Sequence, residues 1–219
     1  MSARLAALEA GALIRAVVGP ELFGEGAPPG VWTERARGAD RVWSRRPTGE
    51  PGWFLSEGPL PGPSRQVAAL IKEADLGGLA GNLRRWRAWR ADPTTELISY
   101  TSRLPWPLAD RHFSVLERYG GGPDEALLLG QDTLGASLAD IPEPLLRAFM
   151  AELPEAGTVG GSVLCSAYRL TPRPNGCHLR RLTRIELHLP LPAAWTTALL
   201  ARTFLDDLDR LRAGLARPP

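Results

Sequence analysis

The last long element of this 219-residue chain restricts its fold more than any other. Leu200, Phe204, Leu208, Leu211 and Leu215 recur at spacings of 4, 4, 3 and 4, which is one face of an α-helix. The pattern predicts a helix over about Ala193–Ala216, entered through Pro190-Leu191-Pro192, with Asp206 and Arg210 one turn apart on its outer side. An apolar stripe of this length has to be covered. The elements available to cover it read mostly as strands.

Strands are expected over Val31–Arg35, Arg41–Arg46, Gly52–Glu57, Trp86–Ala91, Glu96–Arg103, Phe113–Tyr119, Glu125–Thr133, Ser162–Leu170 and Leu179–Leu189. The runs Gly120–Asp124 and Pro172–Gly176 read as hairpin connections. Further helices are expected over residues 2–18, Ser64–Ala74, Leu76–Leu83 and Glu143–Glu152. Helices do not alternate with strands, so the class is α+β and not a parallel βαβ fold.

Composition narrows the function. The net charge of +2 is too small to argue for nucleic acid or an acidic membrane surface. Lys72 is the only lysine among 26 basic residues, an arginine excess that reads first as codon usage. The stretch Asn82–Arg90 interleaves four arginines with two tryptophans, a pattern suited to stacking on bases. Neither strand parity is purely aromatic or purely basic there, so an ordinary strand edge is the preferred reading. Glu9 and Arg15 interrupt any leader-like apolar run, and no run of 18 apolar residues occurs. A soluble cytoplasmic protein is expected.

Catalytic and cofactor motifs are missing. The chain has no GxGxxG, GxxxxGK[ST], GxSxG, HExxH or CxxC. Two cysteines, Cys165 and Cys177, make no disulfide framework. The histidines are His112, His178 and His188. Cys177 and His178 are adjacent and would point to opposite faces of a strand. No metal, cofactor or catalytic residue is expected.

One stretch is specific. Pro105-Trp106-Pro107, followed by Asp110-Arg111 and Phe113, resembles the Pro-Trp-Pro…Asp-Arg…Phe segment of START domains, lipid-transfer domains of the Bet v 1-like helix-grip superfamily. Ala109 and His112 stand where that family usually has Ser and Asp. Val31–Arg46 is similar to the family's opening strands, with a turn at Gly38. The helix from Pro63, the segment Leu83–Trp86 and the last helix follow its order, so the likeness spans Val31–Leu215. Residues themselves explain the motif: the prolines end a strand, Asp110 can accept turn N–H bonds, and Arg111 can pair with a carboxylate.

The resemblance implies an N-terminal helix and linker over residues 1–30 and a START-like domain over 31–219. In that domain a curved antiparallel sheet grips the last helix and encloses an apolar tunnel. The implied function is non-catalytic binding, transfer or sensing of one hydrophobic small molecule, lipid, sterol-like or fatty-acid-like. Strand parity then nominates lining residues: Glu96, Ile98, Tyr100, Trp106, Val115, Glu117, Arg118, Leu128, Cys165 and Arg184, with Leu200 and Phe204 from the last helix. Ser99, Thr101, Gly130, Cys165 and Ala167 are the small residues that leave volume. Glu96 or Glu117 could pair inside with Arg118 or Arg184; solvation of all four on the convex face stays open. Leu145, Leu146, Phe149 and Met150 are expected to form a lid that touches the ligand and, transiently, a membrane. A helix packed on the sheet is the alternative there. A polyketide aromatase/cyclase-like enzyme on the same scaffold is the alternative function, with Arg184, Tyr100, Tyr168 and His188 as its polar groups.

Overall fold

A computed structural model describes residues 3–18, 20–24, 27–28, 30–46, 52–73, 83–104, 108–122, 125–133, 138–152 and 157–216. Its elements in chain order are α1 (Ala3–Val17), a 3-10 turn (Pro20–Leu22), β1 (Thr33–Ala36), β2 (Arg41–Arg45), β3 (Trp53–Leu60) and α2 (Ser64–Glu73). There follow β4 (Leu83–Asp92), β5 (Thr95–Ser102), β6 (Arg111–Gly122), β7 (Glu125–Asp132) and α3 (Glu143–Met150). The last are β8 (Val159–Gly160), β9 (Ser162–Arg173), β10 (Gly176–Glu186) and α4 (Ala193–Leu215). The strands form one curved sheet in the order β1-β2-β3-β10-β9-β7-β6-β5-β4. Every neighbour on this path is antiparallel; the short β8 runs parallel to β6. β3 pairs with β10 from Trp53↔Arg184 to Leu60↔Cys177, which joins the early strands to the last one.

Both faces of the sheet are covered. On the inner face, Leu60, Leu128, Tyr168, Leu170 and Leu179 meet Val67 and Ile71 of α2 and Leu208 and Leu211 of α4. Farther along, Phe54, Phe113, Val115 and Val163 meet Leu200 and Phe204 of α4. The expected stripe on α4 is thus the buried one. On the outer face, Ile14 of α1, then Val18 and Leu22, pack on Trp43, Leu55, Leu127, Leu129 and Leu182.

The run Gly120–Gly122, read as a turn, is instead the end of β6. A Cβ on Gly11 of α1 would stand 2.9 Å from the Gly121 backbone nitrogen. The glycines let helix and strand backbones approach, a need that a turn reading does not capture. Within the strand Gly121 holds a φ of +129°, a backbone region that favours glycine.

The outer face also buries charge. Glu57 is 1% exposed; its carboxylate lies 2.5 Å from Arg180 Nη1 and 2.6 Å from Arg41 Nη2. Arg180 also donates to the Glu21 carbonyl (2.8 Å) and Arg169 to the Phe23 carbonyl (2.8 Å), which fastens the segment after α1 to the sheet. Burial alone would raise the Glu57 pKa, but His178, Arg180 and Arg41 hold it below its usual value.

Other boundaries shift. β4 begins at Leu83, where a helix end was expected, and residues 76–82 lie outside the described ones. β10 ends at Glu186, so His188 is off the strand.

Two measurements check this packing. Gly11→Ala normally gains helix stability, about 1 kcal/mol; here it should lower the denaturant midpoint, because the methyl meets backbone. The folded-state pKa of Glu57 is depressed, so its contribution is present above the ordinary 4.5 and lost as pH falls through the lowered value. Glu57→Gln should cost about 3 kcal/mol at neutral pH and flatten the acid side of a Tm-against-pH curve; an unchanged acid limb would reject the assignment.

Candidate functional site

The candidate site lies between the inner face and the first half of α4. A recess of about 380 Å³ opens there. Phe54, Leu187 and Leu200 form its apolar wall, and Arg46, Glu186, His188, Thr196 and Thr197 bring polar groups to it. Inside the protein the wall continues into the cluster of Phe113, Val115, Val163 and Phe204, with Tyr100 packed on it. The Phe54 and Phe204 rings stand 5.3 Å apart, and Tyr100 stacks on Phe113 at 4.9 Å.

The rim of the recess is held by the specific motif. The Arg111 guanidinium is buried and donates through Nε to the Leu187 carbonyl and through Nη2 to the His188 carbonyl at 3.2 Å. It also donates to the Ala109 carbonyl. Burial lowers its pKa from the usual arginine value. The expected carboxylate partner is replaced by backbone oxygens, which the fork geometry suits equally. Asp110 Oδ1 accepts the Leu104 N–H at 3.3 Å, a turn bond as expected. Capture of the 187–188 carbonyls ends β10 and coincides with a left-handed backbone at His188 (φ 47°). Trp106 lies outside the described residues.

Register fixes which expected lining residues share the inner face. Glu96, Ile98 and Tyr100 stand opposite Glu117, Val115 and Phe113; Gly130 and Leu128 stand opposite Glu117 and Tyr119. These belong to the inner face, with Leu200 and Phe204 above it. Arg118, Cys165 and Arg184 do not. Arg118 pairs in register with Leu129, and Cys165 with Arg184, whose guanidinium lies over Trp53 at 5.3 Å. Leu129, Cys165 and Trp53 pack with α1 on the outer face. Ala167 belongs to the same outer cluster. Ser99 and Thr101 share that outer parity, with Thr101 beside His112. Parity tells which residues go together, but not which set faces the long helix.

The inner acids therefore have other partners. Glu96 Oε1 lies 2.8 Å from Lys72 Nζ of α2 and 2.7 Å from Arg90 Nε. Glu117 accepts the Tyr119 hydroxyl. A second inner ion pair was missed at the sequence level. Arg181 Nη1 contacts Asp207 of α4 at 2.8 Å, and the guanidinium lies over both Tyr168 (4.9 Å) and Phe204 (4.7 Å). Asp207 sits one residue before Leu208 of the buried stripe, which sets it near the covered face but does not name Arg181 as its partner.

The expected lid is not over the site. Phe149 of α3 packs with Leu97, Leu116 and Ile141, joined by Leu145, Leu146 and Trp89. Leu97 and Leu116 point away from the Ile98–Val115 face, so α3 covers the outer side of β5 and β6. Trp89 meets Phe149 edge-on at 5.4 Å. Met150 remains 66% exposed. In the Arg–Trp stretch, Arg87 pairs with Glu152 at 2.7 Å and Arg90 with Glu96.

The four groups nominated for cyclase chemistry do not converge. Tyr100 and Tyr168 are inside, Arg184 is on the outer face, and His188 is exposed beside Glu186 at 3.6 Å. Burial pushes the Cys165 thiol up to about 12 and the Cys177 thiol up to about 11, which keeps both un-ionised and poorly nucleophilic. Among the described residues no group of three His, Cys, Asp or Glu is placed to hold a metal ion.

Solved structures share this arrangement. Human StAR-related lipid transfer protein 5 superposes with a TM-score of 0.72 at 16% identity, over 94% of this chain and 95% of that one. The chain has the START helix-grip fold. The lipid transfer and protein localization domain of human StarD13 gives a TM-score of 0.67 at 17% identity, over 84% of this chain and 88% of that one. A STAR-related lipid transfer protein fragment from Xanthomonas axonopodis gives 0.66 at 16%, over 85% and 99%. No family model and no curated protein matches the sequence. Within the START fold, Arg111 joins the corner before β6 to the chain that leads into α4. Arg111→Lys keeps the charge and loses the fork. It should cost about 2 kcal/mol and speed hydrogen exchange at residues 187–191; unchanged exchange there would reject the rim role.

Proposed function

We propose that this protein binds one hydrophobic small molecule between the inner face of its sheet and α4, and carries it without chemical change. The observation that carries the reading is the recess itself. Its volume of about 380 Å³ falls within the ~300–1,000 Å³ typical of small-molecule sites. Its wall runs without interruption from Leu187, Leu200 and Phe54 to Phe113, Val115 and Val163. An apolar molecule there gains about 25 cal/mol for each Å² withdrawn from water. The fold is shared with proteins whose names state lipid transfer, which supports the same class of cargo.

The inner polar groups favour a ligand with one polar end, of sterol-like or fatty-acid-like type. Arg181 and Asp207 sit beside the apolar cluster, and together they can donate to or accept from a hydroxyl or carboxyl group. The four polar side chains nominated for cyclase chemistry diverge and the recess is lined by no cysteine, so a carrier role is preferred to catalysis.

Native mass spectrometry of the purified chain, followed by solvent extraction, tests this directly. A co-purified, solvent-soluble species of a few hundred daltons is expected. Thr197→Trp, which fills the recess, should abolish its retention while leaving Tm nearly unchanged. An empty wild-type protein that takes up neither fluorescent fatty acids nor sterols would overturn the proposal.

A further inference from the structure

The recess divides by polarity. Its buried wall is apolar, formed by Phe54, Leu187 and Leu200. Among the described residues its charged lining groups are Arg46, Glu186 and His188, and these lie toward solvent: Arg46 and His188 are exposed, Glu186 half-buried. Glu186 Oε1 stands 3.6 Å from His188 Nδ1. His188 holds a left-handed backbone that glycine adopts more easily, so what histidine adds at this position is its ring at the rim. The Thr197 hydroxyl donates to the Ala193 carbonyl at 2.8 Å, which leaves its oxygen as an acceptor.

The rim thus sets a fixed cation and a fixed anion around one opening. An anionic head would gain Arg46 and face Glu186; a cationic head would meet the reverse. A head carrying hydroxyl groups satisfies both, accepting from Arg46 and donating to Glu186. The inner pair is out of reach. Arg181 and Asp207 do not line the recess. The Phe204 ring lies against both the Arg181 guanidinium (4.7 Å) and the Phe54 ring (5.3 Å). Arg181 is already occupied by Asp207 at 2.8 Å and by Thr183 Oγ1 at 3.0 Å. Room is limited too. A volume of about 380 Å³, at about 30 Å³ for a water-sized group, holds roughly a dozen carbon-sized groups. One chain fits; a sterol skeleton or a two-chain lipid does not.

We propose that the recess takes one single-chain amphiphile, tail inward, whose uncharged head both donates and accepts hydrogen bonds at the rim. A medium-chain monoacylglycerol or fatty alcohol has this chemistry. Arg46 and Glu186 are the residues that set the head preference. The inference rests on the carrier reading and narrows its cargo to one chain and one head type.

Native mass spectrometry of the full chain, titrated with 1-dodecanoylglycerol, sodium dodecanoate, cholesterol or dioleoylphosphatidylcholine at neutral pH, tests it. One dodecanoylglycerol should bind per chain, roughly fivefold tighter than dodecanoate; cholesterol and the phospholipid should bind more weakly than either. Glu186→Gln removes the repelling carboxylate and should raise dodecanoate affinity roughly fivefold, closing the gap. Arg46→Gln should weaken dodecanoate more than dodecanoylglycerol, widening it. Both side chains sit at the surface of the rim, and the readout is a ratio of two ligands on the same protein, which a general loss of packing would not shift in opposite directions. A wild type that prefers dodecanoate, cholesterol or the phospholipid would overturn the inference and leave the carrier reading standing. So would a dodecanoylglycerol-to-dodecanoate ratio that neither substitution moves. A protein that binds none of the four would overturn both.

Discussion

The buried guanidinium of Arg111 is the constraint on which the site depends. A charged group this deep must have its N–H donors satisfied, and here backbone carbonyls from two distant segments do so. The 187–188 carbonyls are thereby withheld from further strand pairing. The chain leaves the sheet, passes through Pro190 and Pro192, and starts α4 where its stripe can cover Phe54, Phe113 and Val115. The rim of the recess, the end of β10 and the first turn of α4 all follow from one side chain.

The helix-grip architecture was legible because its signals are local and redundant. The α4 stripe specifies its own buried face through Leu200, Phe204, Leu208 and Leu211. The Asp110-Arg111 motif marks the corner before β6, even though its arginine binds carbonyls and not a carboxylate. The order of elements needs no long-range information. Gly120 of β6 shows the limit: a Cβ there would run into the backbone of Gly11, more than a hundred residues earlier in the chain.

The site was half legible for a physical reason. A sheet covered on both sides buries both parities, so alternation sorts residues into two sets without saying which set meets α4. Glu96, Ile98, Tyr100, Val115, Glu117 and Leu128 fall on the inner face. Cys165 and Arg184 carry the same apolar or charged character but belong beneath α1. The α3 helix is amphipathic either way; only the outward direction of Leu97 and Leu116 decides that Phe149 sits behind the sheet and not over the recess. The pair Arg181–Asp207 joins two elements whose relative placement no short-range pattern encodes.

The pairing of β3 with β10 has a consequence for how the chain is made. Trp53 meets Arg184, so strands produced early in synthesis wait for the last strand before they join the sheet. Closing so long a loop is entropically costly, and contacts of this separation slow folding. The hairpins β4–β5 and β6–β7 can form as they emerge from the ribosome, whereas β1–β3 remain an open-edged ribbon until Glu186 is available. Trp43, Leu55 and Phe54 stay without their final cover through that interval. The finished sheet, and with it the recess, comes into being only when the chain is nearly complete.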